Sequence, residues 1–209
     1  MFTKTSSDMD KNKLPLKEWE ESINKMGYEE LQRYIADPEI CYPEFLELAQ
    51  NRLKELEVER MRDDVIKILT EFGWQCEINE DDYINFYMTD VVPYSDDVVS
   101  YFNDADFFIS LDAHFRYIEI NECCWKIVKL DDIDEVERLK QAINHTNLAQ
   151  SVTISYLVNE EKQTMEVCSS TNMPYLSDEE YLKEYLDKKL NDIYCSNKLL
   201  DHILEKGVK

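Results

Sequence analysis

Adjacent carboxylates recur at Asp81/Asp82, Asp96/Asp97, Asp131/Asp132 and Glu179/Glu180, and paired acids are the raw material of general acid–base catalysis. Such work needs one acid buried, so that it keeps its proton near neutral pH while its partner ionises. Neighbours in sequence seldom converge on one substrate, and acids beside turn residues or ahead of an apolar helical run act as turn formers and caps. That duty is expected of all four pairs. Asp131, Asp132 and Asp134 crowd one loop in the manner of a calcium site, but an EF-hand needs glycine at its sixth place and glutamate at its twelfth. Counted from Asp131, those places hold Val136 and Ala142. Cys123-Cys124, taken with His114, suggests zinc or a thiol nucleophile. Structural zinc usually draws its four ligands from closely spaced C-x-x-C pairs, and none occurs. Adjacent residues of a strand also point to opposite faces, which separates the two thiols. A core or half-exposed thiol is the simpler expectation. With glycine only at 27, 73 and 207, a phosphate-cradling loop is excluded by count. No catalytic residue, metal or cofactor is assigned, and the chain is read as not an enzyme. The alternative is an enzyme using scattered carboxylates or Cys123/Cys124.

Charge narrows the partners. The 209 residues carry a formal net charge of −22, and the stretch from Ile68 to Phe115 holds eleven carboxylates with no Lys or Arg. Phosphate backbones and anionic lipid headgroups are bound by clustered cations, so nucleic acid and membrane are poor partners for such a surface. Met1 to Lys13 is polar, with no apolar core of a secretory signal, and no window reaches the roughly 18–20 apolar residues that span a bilayer. Six scattered cysteines do not make a disulfide scaffold, which makes a reducing cytoplasmic setting the expectation.

The elements that would position any site follow from periodicity. Residues 1–13 read as a disordered leader, and residues 14–60 as a helical N-terminal region. Leu16, Trp19, Ile23 and Met26 recur at helical spacing up to Gly27, and Tyr28 to Ala36 forms a second short helix ending at Asp37-Pro38. Tyr42-Pro43-Glu44 opens a long helix that runs to Gly73. Beyond Gly73 the period becomes two. Trp74, Cys76 and Ile78 alternate with polar residues, and Tyr83–Met88 returns after a turn at Asn79–Asp82. Pro93 to Asp104 is a long Asp- and Ser-rich loop. Asp106–Leu111 pairs with Phe115–Ile120, and Cys123–Leu130 continues the sheet. Asp132 with Glu135 caps a helix lined by Ile133, Val136, Leu139 and Ile143. Val152, Ile154, Tyr156 and Val158 mark a strand with one buried face, followed by Gln163–Ser169. A closing helix carries Leu182, Leu186, Leu190, Ile193, Leu200 and Ile203 on one stripe. Blocks of strands and helices in this order predict an α+β domain over residues 61–209. It has an antiparallel sheet of five to seven strands, helices mainly on one face, and the order α-β-β-β-β-α-β-β-α.

From Asp63 to Leu204 the chain resembles the YbjN-like family, which shares the fold of type III secretion chaperones. The resemblance is carried by the Phe72-Gly73-Trp74 break, the acidic turn Asn79–Asp82, the aromatic hairpin Asp106–Ile120, and Ile133-Asp134-Glu135 running into Ala142-Ile143-Asn144. It implies a non-catalytic domain that binds other proteins, with a regulator-like or chaperone-like role. The insertion Val91–Asp104 departs from the family pattern. Tyr28 to Leu53 resembles a small helical motif found ahead of varied bacterial domains, through Glu29-Glu30-Leu31, Asp37-Pro38, Tyr42-Pro43-Glu44 and Ala49.

The remaining candidate is aromatic. Tyr83 and Tyr87 oppose Ile84 and Phe86 across their strand, and Phe108 opposes Phe107 and Ile109, so both sheet faces carry large side chains. A sheet with helices on one side leaves its second face open unless something covers it. That cover is either the helices of residues 16–60 or another chain. The partner-binding surface is assigned to Tyr83, Tyr87, Phe108, Tyr117 and Trp125, rimmed by the acids of residues 77–106. Its partner would be another protein, in the form of a helix or an extended segment, and basic by charge complementarity. Homodimerisation through the closing helix is compatible with that reading.

Overall fold

The structure is a computed structural model that describes residues 16–37, 43–88 and 106–206. The expected leader at 1–13 and the loop at 91–104 lie outside them. The chain divides into two compact units, residues 1–60 and 61–209.

In the first unit, α1 (Leu16–Lys25), α2 (Tyr28–Ala36) and the first part of α3 (Pro43–Glu71) enclose a small core of Ile23, Leu31, Tyr34, Phe45 and Ala49. Trp19 stacks on Phe45 with ring centroids 5.1 Å apart. Tyr28 Oη donates to Glu57 Oε2 at 3.2 Å.

The second unit is the α+β domain. Its single sheet has the order β1-β2-β3-β4-β6-β5 and is antiparallel throughout. The strands are β1 (Trp74–Ile78), β2 (Ile84–Met88), β3 (Asp106–Asp112), β4 (Tyr117–Lys129), β5 (Thr153–Asn159) and β6 (Thr164–Pro174). Gly73 separates α3 from β1 at φ 88°, a left-handed conformation that a glycine adopts without a Cβ penalty. Its N–H bonds back to Thr70 O at 3.0 Å and closes the helix end. The 79–82 turn is held by Asn79, whose Oδ1 accepts from the backbone of both Asp81 and Tyr83.

Helices cover one face of this sheet. The last turns of α3, from Met61, and the first half of α5 (Glu179–Lys206) pack on Trp74, Ile84, Phe86, Phe107, Ile109, Ile118 and Ile120. Farther along, α4 (Ile133–Ala149) and the end of α5 pack on Val128, Ile154, Met165 and Val167. The Leu182-to-Ile203 stripe expected of the closing helix is buried as a set. Asp132 caps α4 by accepting from Glu135 N at 3.0 Å, which accounts for one member of the acidic loop.

Two expected elements differ. Phe115–Ile120 and Cys123–Leu130 are parts of one 13-residue strand, β4, interrupted by a bulge between Glu122 and Lys126. The strict alternation 152–158 buries only Val152 and Ile154, and Tyr156 and Val158 are 39% and 50% exposed. β5 is an edge strand, and its far end runs past the helix cover.

That edge is blunted by one side chain. Asn147 Nδ2 donates to Ile154 O, and Asn147 Oδ1 accepts from Ile154 N, both at 2.8 Å. The amide supplies the two hydrogen bonds that a neighbouring strand would supply. Asn144, which carried part of the family resemblance, is exposed instead. Replacing Asn147 by alanine is expected to cost about 1–3 kcal/mol, the range for leaving backbone groups without partners. The midpoint of urea unfolding measures this, with Asn144→Ala as the near-neutral control.

Candidate functional site

The face opposite the helices is built by residues of the other parity. β1 contributes Glu77, β2 Asn85 and Tyr87, β3 Asp106, Phe108 and Ser110, and β4 Tyr117, Glu119, Asn121 and Cys123, with registers that place them side by side. Tyr83 leans on Phe108 with ring centroids 5.3 Å apart. Tyr83, Tyr87 and Tyr117 are 38%, 40% and 40% exposed, and Phe115, in the β3–β4 turn, is 70% exposed. Aromatic side chains left this open on a continuous sheet face form a surface that gains free energy when covered.

The acids among them are tethered. Tyr87 Oη donates to Glu77 Oε1 at 3.1 Å, and Ser110 Oγ donates to Glu119 Oε2 at 3.2 Å. The Glu77 bond holds the Tyr87 hydroxyl in its protonated form to higher pH than usual. Two shallow hollows mark the surface. One, of about 620 Å³, lies between Tyr117, Phe115, Asp112 and Glu119. The other, of about 290 Å³, lies between Glu77, Tyr87, Asp106, Phe108 and Cys123. Each combines a ring or two with two carboxylates. That chemistry suits an apolar side chain flanked by cations.

Of the five assigned residues, Tyr83, Tyr87, Phe108 and Tyr117 share this open face. Trp125 is not with them. Its ring packs against the α4–α5 core, and its Nε1 donates to the buried Ser169 Oγ at 3.0 Å. The bulge explains the difference: Trp125 lies within it, directly after Cys124 at φ 55°, where strand geometry is broken, and the regular alternation resumes beyond with Ile127 exposed and Val128 buried.

The same bulge overturns the expected separation of Cys123 and Cys124. Glu122 pairs with Ser169 and Lys126 with Val167, so residues 123–125 all oppose Cys168. Cys124 takes φ 55°, and its Sγ donates to Glu166 Oε2 at 3.3 Å on the open face. Cys123 and Cys168 lie on the same face, next to the Glu122–Ser169 pair. His114 is remote from this chemistry in its contacts, stacking edge-on against Phe115 at 4.5 Å. The thiol partner of Cys123 is therefore Cys168, 45 positions away and invisible to local spacing. Among the described residues, no three His, Cys, Asp or Glu groups are placed to hold a metal ion. Likewise, no described helix is long and apolar enough to cross a membrane.

No family model matches the sequence, and no curated protein matches it. Among solved structures, a chain of the HopA1-SchA chaperone-effector complex overlays with a TM-score of 0.42 at 10% identity, covering 70% of this chain and 97% of that one. An overlay that loose does not establish a shared fold. The α+β architecture stands on this chain's own strand order and register.

Proposed function

We propose that this chain is a non-catalytic protein-binding module, regulator-like or chaperone-like in the sense of the YbjN-like resemblance. Its open sheet face takes a basic segment of another protein. The observation that supports the reading is the juxtaposition of half-exposed rings, Tyr83, Tyr87, Phe108 and Tyr117, with the carboxylates of Glu77, Asp106, Asp112 and Glu119. An extended or helical segment presenting alternating apolar and Lys or Arg side chains would bury the rings and pair the acids. The acidic rim favours fast, salt-sensitive association with such a partner.

The test compares full-length wild type with Tyr87→Ala/Tyr117→Ala and with Glu77→Lys/Asp106→Lys, at low salt. Proteins captured from lysate at stoichiometric level by the wild type are expected to be lost with both variants. Affinity for a captured partner should fall at least about tenfold per variant, the size of one hot-spot truncation. Thermal midpoints should stay within about 2 °C of wild type, since exposed substitutions change stability little. Equal capture by all three proteins, or none by the wild type, sinks the reading.

A further inference from the structure

The bulge in β4 assembles a thiol cluster that the docking role does not use. Cys123 and Cys168 directly adjoin the paired Glu122 and Ser169 at the start of the bulge, which leaves both on the open face beside each other. Directly opposed residues of antiparallel strands have Cα atoms about 4.5–5.5 Å apart, inside the window of about 4.4–6.8 Å that a disulfide spans. Neither thiol is buried, and neither is fully exposed. Cys123 lines the hollow beside Tyr87 and Asp106, which gives a small solute a way in.

The backbone adds a second, independent sign. Four described non-glycine residues have positive φ, and Asp82, Arg116 and Gln163 sit in described hairpin turns, where such angles are ordinary. Cys124 is the exception, inside a strand. Holding a side-chain-bearing residue there costs on the order of 1–2 kcal/mol. The Cys124 N–H and the Cys123 thiol both act on Cys168 to lower its thiol pKa. The Cys124 thiol proton is engaged by Glu166.

We propose that Cys123 and Cys168 form a reversible dithiol switch, in which Cys168 reacts with a hydroperoxide and Cys123 closes onto it as a disulfide. The Cys168 thiolate attacks the peroxide oxygen. An S–O bond forms as the O–O bond breaks, and the departing alkoxide, or hydroxide from hydrogen peroxide, takes a proton from water. Sulfur is oxidised by two electrons to the sulfenic acid, and the peroxide is reduced. Cys123 then attacks the sulfenic sulfur. The S–S bond forms, and the leaving hydroxide departs as water with the proton that Cys123 gives up. A thiol reductant reverses the change by exchange.

The division of roles follows from the donors. The Cys123 thiol and the Cys124 N–H hold the Cys168 thiol down to about 6, against partial burial and the nearby Glu166 carboxylate, which push the other way. Ser155, opposite Cys168 on β5, does not titrate. Cys123 is pushed up, first by its hydrogen bond to Cys168 and then by burial. Burial raises Cys124 to about 11. Cys168 is thus the most readily ionised thiol of the cluster. Hydroperoxides react with the thiolate form.

The test uses the full chain with Cys41, Cys76 and Cys195 changed to serine. Stoichiometric hydrogen peroxide is expected to remove two hydrogens from the intact mass. A Cys123–Cys168 link should appear in tandem mass spectra and be released by dithiothreitol. The link should persist in Cys124→Ser and vanish in Cys123→Ser and Cys168→Ser. Circular dichroism of each variant separates loss of the link from loss of the fold, with Cys123→Ala as the second choice. Cys123→Ala should also slow iodoacetamide alkylation of Cys168 at pH 7 by about tenfold, because the thiolate loses its donor. A Cys124–Cys168 link, over-oxidation of Cys168 without a link, or an unchanged alkylation rate each overturns the assignment.

Discussion

Trp74→Ala is expected to destabilise the second unit by about 3–5 kcal/mol, the usual range for deleting a large buried aromatic side chain. Trp74 is 2% exposed at the start of β1. It meets Phe86 edge-on with centroids 5.1 Å apart and Phe107 at 5.8 Å, while Phe86 stacks on Phe107. These three rings sit in the core between the sheet and the helices α3 and α5, so the vacated volume is walled by rings that cannot collapse into it. A domain of this kind has only about 5–15 kcal/mol in hand, so the variant should unfold at markedly lower urea with a similar m-value. Trp74→Phe, which keeps a ring in place, should recover more than half the loss. A shift below about 1 kcal/mol for Trp74→Ala would mean that the three-ring packing does not hold the unit together.

The second large effect concerns a buried polar chain. Trp125 Nε1 donates to Ser169 Oγ, Ser169 Oγ donates to Asn197 Oδ1, and Asn197 Nδ2 donates to the carboxylate of Glu122. Glu122, Ser169 and Asn197 are fully buried, and they tie the centre of β4 and β6 to α5. Removing a partner from a buried polar group costs more than the bond was worth, because the group stays in the core without that compensation. Asn197→Ala is therefore expected to cost about 1–3 kcal/mol for each buried group that loses a partner, Glu122 and Ser169. Replacing both ends, Glu122→Met with Asn197→Leu, should restore the part due to Glu122, since two apolar groups of similar size need no partner, while Ser169 still loses its acceptor. Chemical denaturation of the two single variants and the double variant gives the coupling directly. Strictly additive losses would show that the two side chains do not act as a unit.

Much of the architecture was legible along the chain. Ile84, Phe86, Phe107 and Ile109 face the core because a strand has period two, and Leu182 to Ile203 line α5 because a helix has period 3.6. Both are local rules, and along β5 they gave the parity but not the burial, since Tyr156 and Val158 lie past the helix cover. They failed at the bulge. A two-residue excess in β4 is set by its pairing with β6, some forty residues later, and no local window contains it. That is why β4 read as two strands, why Trp125 was placed on the wrong face, and why Cys123 and Cys124 read as opposed. Asn147 was missed for a related reason. On α4 it looks like any polar residue, and only the approach of Ile154 gives its amide two backbone partners.

The sequence by itself determined the strand and helix blocks, the acidic balance, the lack of a phosphate loop, and the aromatic residues on both faces of the strands. These depend on composition and on neighbours three or four residues away. Tertiary structure decided which rings stay open, which acids sit beside them, and that Cys168 meets Cys123. Each of those is a distance between strands, fixed by register and by one irregular stretch of backbone, and register follows from the pairing of whole strands with their faces buried together.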